Sequence, residues 1–239
     1  MSTQQAKITV HWLDQSRAQR VLWLLEELEL PYELKTYKRD PKTMLAPKEL
    51  SDVHPLGKSP VITIDEGNGS SPLVVAESGA ICELLIERYG MKKLGYGPEG
   101  DLKQRADYLY WMHWAEGTAM TPLMIAIVFA QIPKQAPFLV RPVVAGIAAG
   151  VNAQFIRPRL KANYGFVEEW LKGKEFFVGN HLSGADIMMS FIAESLDAAP
   201  LNNADYPNIN RWHRSIQDRP AYQTAEGKGG KNDLTMFVK

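Results

Sequence analysis

The hydrophobic rhythm of the chain changes once, near residue 91, and that change commits it to a two-part fold. Before it, strand and helix signals alternate. Ile8-Thr9-Val10-His11-Trp12-Leu13 is β-branched and apolar, as a buried strand requires. Asp14-Gln15-Ser16-Arg17 breaks it and offers two N-cap side chains, Asp14 and Ser16, to a helix running to about Leu30. In that helix Ala18, Val21, Leu22, Leu25 and Leu28 share one face, and Arg20, Glu26, Glu27 and Glu29 occupy the other. Pro31 stops it, and Tyr32 to Tyr37 alternates like a second strand. A polar stretch with a short helix around Pro47 to Asp52 follows. Val61-Ile62-Thr63-Ile64 and Pro72-Leu73-Val74-Val75-Ala76 then flank a Gly/Asn/Ser loop, as in a hairpin. Glu77-Ser78-Gly79 opens another helix with Ala80, Ile81, Leu84 and Leu85 on its apolar face and Gly90 at its end.

The order β-α-β-(α)-β-β-α is the layout of an α/β thioredoxin-like domain, a small mixed sheet covered by helices. Lys92 to Gly100 is rich in Gly and Pro and reads as a linker, after which the signal is helical throughout. The expected division is 1–91 for the thioredoxin-like domain, 92–101 for the linker and 102–239 for an all-α domain. Leu102 to Thr118 carries an aromatic stripe of Tyr108, Tyr110, Trp111 and Trp114. Helices over Arg159 to Leu171, Ser183 to Ala198 and Asn208 to Gln217 follow, and Ser183-Gly184-Ala185-Asp186 forms a variant capping box. The tail ends apolar, with Leu234, Met236 and Phe237 able to dock back.

Composition excludes several classes. Lys plus Arg equals Asp plus Glu at 27 each, so the net charge is zero, unlike the basic excess of a general nucleic-acid binder. The single Cys82 allows no disulfide framework, no all-cysteine metal site and no CxxC redox pair. The five histidines never come at metal-helix spacing, so no metal is expected. Gly95-x-Gly97-x-x-Gly100 matches a dinucleotide fingerprint only formally, because it follows a helix and contains Pro98. Met1 to Lys7 is a polar start without a signal-peptide core, so a cytoplasmic location is expected. Gly117 to Pro133 and Pro142 to Ile156 are charge-free but shorter than the ~20 residues that span a bilayer. They read as buried helices of a soluble domain, with peripheral membrane association left open.

Three N-terminal motifs then resemble the glutathione transferase family, most closely a fungal branch. They are Ser16-Arg17-Ala18-x-Arg20 with Leu22-Trp23-Leu24-Leu25-Glu26-Glu27-Leu28, His54-Pro55-Leu56-Gly57-Lys58-Ser59-Pro60-Val61, and Glu77-Ser78-Gly79-Ala80-Ile81. Leu182-Ser183-Gly184-Ala185-Asp186-Ile187 is similar to the family's helix-capping motif. Their order and spacing cover nearly the whole chain.

The resemblance implies that glutathione, as co-substrate, has its thiol ionised for attack on hydrophobic electrophiles, with peroxidase activity beside it. A free thiol has a pKa near about 8.5, and lowering it by two units needs roughly 2.7 kcal/mol. A helix N-terminus contributes about 0.3–1 kcal/mol, and a hydrogen bond to the charged sulfur about 1.5–3 kcal/mol. The turn at Asp14 to Arg17 offers both, with Ser16 the candidate catalytic hydroxyl. Family members of the serine type place that hydroxyl several residues before the arginine, where this chain has Leu13. A backbone N–H of the turn is therefore the other candidate donor.

For the rest of glutathione the resemblance implies a cis Pro60 that presents the Ser59 backbone like an added strand. It implies Lys58 for the glycyl carboxylate, and the Ser78 hydroxyl and N–H for the γ-glutamyl carboxylate. Glu77 would take the ammonium group, with Arg17 as a further carboxylate partner. The electrophile is expected between the domains against Tyr108, Trp111, Trp114 and Glu116, and the Gly117 to Ile156 region to line that pocket or a homodimer interface. The alternative is a non-catalytic regulatory or assembly module on the same fold.

Overall fold

A computed structural model describes residues 6–41 and 43–237, so most of the polar start lies outside the described residues. The chain divides into two compact units, residues 1–100 with 216–232, and residues 101–215 with 233–239. In the first, β1 (Lys7–Leu13), α1 (Ala18–Glu27), β2 (Tyr32–Tyr37), α2 (Glu49–Val53), β3 (Val61–Asp65), β4 (Leu73–Ala76), α3 (Ser78–Leu85) and α4 (Met91–Leu94) follow in order. The sheet order is β2-β1-β3-β4, with β1 parallel to β2 and antiparallel to β3, and β3 antiparallel to β4. Central β1 is buried from Ile8 to Leu13, which explains its unbroken apolar run, whereas β2 alternates because one of its faces meets solvent.

The first helix ends earlier than Pro31 suggests. Glu29 takes φ 56°, and the N–H groups of Leu30 and Glu29 bond to the carbonyls of Leu25 and Glu26 at 3.1 Å each. This is the Schellman closure, made here by a glutamate in place of glycine. The expected outer face of α1 is also not an outer face. Arg20 and Glu27 are buried, because α11 (Pro220–Gly229) returns from the end of the chain and lies along α1. Arg219 grips Glu27 through two hydrogen bonds of 2.6 and 2.9 Å, and the Trp23 indole adds a third at 2.9 Å. The Tyr222 ring meets Trp23 edge-on at 5.3 Å. Residues 216–232, assigned from sequence to the helical domain, therefore pack with the sheet-bearing unit, since they supply the apolar and charged partners that α1 requires.

The second unit is helical. α5 (Leu102–Trp114) runs through a π-helical turn at Ala115–Ala119 into α6 (Met120–Gln135). α7 (Arg141–Val151), α8 (Arg157–Trp170), α9 (Gly184–Glu194) and α10 (Pro207–Gln217) follow. Its core is aromatic. Trp111 packs with ring centroids 5.2 Å from Trp114, 5.5 Å from Phe166, 5.2 Å from Trp170 and 4.8 Å from Phe177. The capping box forms as expected, with the Ser183 N–H and hydroxyl donating to Asp186 at 3.0 and 2.9 Å. Leu234 is buried, and the side chains of Met236 and Phe237 lie outside the described residues.

The charge-free runs depart from expectation. Leu102–Gln135 is one continuous helix of 34 residues, yet only 28% of its most apolar stretch is buried. Met124, Val128 and Ile132 form an exposed apolar row on α6, and Val143 and Ile147 another on α7. These helices have apolar residues nearly all round, and the unit's own core covers only the side with Met120, Pro122 and Leu123.

Candidate functional site

Sheet register brings the three N-terminal motifs to one place. His11 pairs with Val61, and Val61 with Ala76, so these residues form one row across β1, β3 and β4. β1 runs out of the sheet past this row into Asp14–Arg17, β3 enters it from Ser59-Pro60, and β4 leaves it into Glu77-Ser78. All three segments therefore share one end of the sheet. The Ser59–Pro60 peptide is cis, as the resemblance implied.

Ser59 extends the ladder beyond β3. Its Oγ donates to the His11 carbonyl at 2.9 Å and accepts from the Leu13 N–H at 3.2 Å. The side chain thus ties the segment before Pro60 to the C-terminal end of β1. Next to it, His11 Nδ1 lies 2.9 Å from the Tyr37 hydroxyl, and burial holds this imidazole below its usual pKa.

The Asp14–Arg17 turn is held by its own residues and by one arginine from outside. Ser16 is buried; its hydroxyl donates to the Leu13 carbonyl at 2.6 Å and accepts from the Ala18 N–H at 3.2 Å. Asp14, an expected N-cap, instead accepts from the Arg39 N–H at 2.9 Å. The Arg39 guanidinium in turn donates to the carbonyls of Asp14, Gln15 and Met44 at 3.1, 3.3 and 3.0 Å. Sequence reasoning missed Arg39, because it stands in an irregular polar stretch with no periodicity to single it out.

Backbone conformation marks the same two strand-to-helix turns. Gln15 has φ 50° and Glu77 φ 71°, two of four described non-glycine residues in that region. Side chains held this way are concentrated at binding and catalytic sites. Glu77 directly precedes α3, whose first residue, Ser78, is buried; Glu77 and Lys58 are exposed and Arg17 is half-buried.

In the helical unit, Tyr108, Trp111 and Trp114 lie on α5, and Glu116 lies half-buried in the π-helical turn. Trp111 is wholly enclosed by the aromatic cluster, so it offers a ligand no surface of its own. Trp114 borders a narrow apolar void with Leu123, Tyr164 and Ile192, too small for a water molecule. Among the described residues, no cluster of three His, Cys, Asp or Glu side chains suits a metal ion.

The first unit is a thioredoxin-like domain in which the cis proline and two strained strand-to-helix turns share one end of the sheet, and the second is an all-helical domain. Residues 16–88 match the glutathione S-transferase N-terminal domain, and residues 153–220 the glutathione S-transferase C-terminal domain. Glutathione S-transferase 1 of Saccharomyces cerevisiae is 34% identical over 92% of this chain and 94% of its own length. Glutathione S-transferase 3 of Schizosaccharomyces pombe is 32% identical over 96% and 91%. A crystal structure of a glutathione S-transferase from Actinobacillus pleuropneumoniae superposes with a TM-score of 0.75, at 35% identity and covering 95% of both chains. The chain belongs to the glutathione S-transferase family and is an enzyme of that family.

Proposed function

We propose that this enzyme holds glutathione along the common end of β1, β3 and β4 and ionises its thiol at the Asp14–Arg17 turn. The observation that carries this proposal is the His11–Val61–Ala76 row, which lines up all three motif segments. The Ser59 main chain pairs with the tripeptide backbone, and Lys58 reaches its glycyl carboxylate. The Ser78 hydroxyl and N–H, at the positive end of α3, take the γ-glutamyl carboxylate, aided by Arg17. Glu77 takes the ammonium group.

At the sulfur, the single proton of Ser16 already points to the Leu13 carbonyl, and its lone pair accepts from Ala18. The hydroxyl shapes the turn, and the backbone N–H groups of the turn, with the N-terminus of α1 behind them, stabilise the thiolate. The thiol proton passes to solvent, the sulfur forms its bond to the electrophilic carbon, and the leaving group departs with the displaced electron pair. With a hydroperoxide, the thiolate takes an oxygen and an alcohol leaves; a second glutathione then releases water and yields the disulfide. Tyr108, Trp114 and Glu116 on the helical unit receive hydrophobic electrophiles, with Trp111 as rigid backing. The enzyme works as a cytoplasmic homodimer.

Conjugation of glutathione to an aryl halide tests this, with Ser16→Ala beside wild type. If the backbone holds the sulfur, the variant loses less than about tenfold in kcat/KM. Ultraviolet titration of the bound thiol then still shows it ionising well below about 8.5. A hundredfold loss with the thiol back near 8.5 assigns the role to the hydroxyl, and absence of glutathione binding to wild type removes the function altogether.

A further inference from the structure

The Asp14–Arg17 turn is built on an unfavourable residue. Gln15 stands at φ 50°, in the left-handed region where a Cβ is disfavoured. Half a rotation of the Asp14–Gln15 peptide would return Gln15 to negative φ and relieve it. The same rotation would exchange the two ends of that peptide, putting the Asp14 carbonyl oxygen where the Gln15 N–H now stands. An anion beside the turn would then meet an oxygen in place of a donor.

The Arg39 guanidinium opposes that rotation. β2 pairs with β1 through Leu13 and Tyr37, and so sets Arg39 beside the turn. Nε donates to the Asp14 carbonyl at 3.1 Å and Nη2 to the Gln15 carbonyl at 3.3 Å. A third bond, from Nη1 to the Met44 carbonyl at 3.0 Å, ties the same fork to the loop after β2. Both turn peptides are trans, so each carries its N–H opposite its carbonyl. With the carbonyls of Asp14 and Gln15 drawn to Arg39, the N–H groups of Gln15 and Ser16 face away from it. Successive N–H groups on one side of a turn make an anion-binding concavity. The cation behind them polarises both peptides in the sense that strengthens those donors. Arginine suits this post because it offers several donors in one rigid fork together with a permanent charge. We propose that Arg39 is the positioning residue of thiol activation, locking the peptides from Asp14 to Ser16 with their N–H groups toward the sulfur. This rests on the reading that the backbone of the turn holds the thiolate.

Ultraviolet titration of the glutathione thiol bound to the full chain tests this, on wild type, R39M and R39K. Methionine keeps the aliphatic stem without charge or donors, and lysine keeps the charge with one nitrogen for three carbonyls. R39M is expected to raise the pKa of the bound thiol by about one unit, and R39K by about half a unit. Aryl-halide conjugation by R39M should fall about tenfold at about pH 6.5 and recover most of that loss at about pH 9, where the thiol ionises unaided. A side chain that only stabilised the fold would lower the melting temperature and leave the titration midpoint unchanged. The inference is overturned if the thiol bound to R39M ionises at the wild-type pH, or if that bound to R39K does so where R39M fails to fold. A thiol that ionises near about 8.5 on wild type overturns the underlying reading as well, and wild type alone shows it.

Discussion

Glu77 stands at φ 71° and ψ 119°, where a Cβ is unfavourable, directly before the buried Ser78 that opens α3. Holding such a residue costs about 1–3 kcal/mol, and glycine would relieve most of it. Glu77→Gly should therefore raise the stability of its unit by about 1 kcal/mol while weakening glutathione binding. Glu77→Gln should leave stability unchanged and raise the KM for glutathione; thermal melts and saturation kinetics on both variants separate the two effects. Asp186 poses a different residue-scale question. Burial pushes its carboxyl up to about 6, against four hydrogen bonds that favour the ionised form, from the Phe177 N–H, the Ser183 hydroxyl and N–H, and the Trp212 indole. With a folded pKa above the unfolded value of 3.8, the folded chain keeps a proton that the unfolded chain releases. The stability linked to this proton is complete below about pH 4 and is lost as the pH rises through about 6. Wild type should thus gain on Asp186→Asn in urea midpoint between about pH 7 and pH 4.5, and a constant difference would refute the shift. Ser183 and Asp186 were legible because the capping box is local, three residues apart. Arg39 was not, since its partners Asp14 and Gln15 become neighbours only when β2 has paired with β1.

Among the elements, α1 shows how a helix face can mislead. Its periodicity assigns Arg20 and Glu27 to a polar side, but no pattern within α1 records that α11 will cover it. The matching signal is Arg219, nearly two hundred positions away and bonded to Glu27. Replacing Arg219 with alanine leaves the buried Glu27 carboxylate without that partner, at an expected cost of about 3 kcal/mol. Adding Glu27→Gln to that variant should recover part of the loss, as chemical denaturation of the three chains would show. The strands were legible because β1 and β3 are short apolar runs bounded by turn residues, and the β3–β4 hairpin closes through Gly67 and Gly69 in the left-handed region. Charge-free helices ordinarily belong in the interior, yet α6 and α7 keep Met124, Val128, Val143 and Ile147 exposed. Hydropathy reports the preference of a segment but does not say what satisfies it.

Taken whole, the chain builds most of one unit, crosses into a second, and comes back to complete the first with residues 216–232. The change in rhythm near residue 91 announces a sheet-bearing part and a helical part, and the three motifs fall together at one end of the sheet. The return of α11 could not be read, because a short helix after a helical domain looks like more of that domain. Gly229 shows how closely the returning segment fits, since a Cβ there would meet the Gln19 carboxamide at 2.6 Å and the Trp12 indole nitrogen at 2.9 Å. On the ribosome this ordering has a consequence. The sheet emerges first, but α1 stays uncovered until the helical unit and then α11 have been made, on the order of ten to thirty seconds later at ordinary elongation rates. The nascent sheet-bearing unit therefore waits with Trp23 and the Glu27 carboxylate uncovered on that flank, and it is over this interval that a chaperone would act.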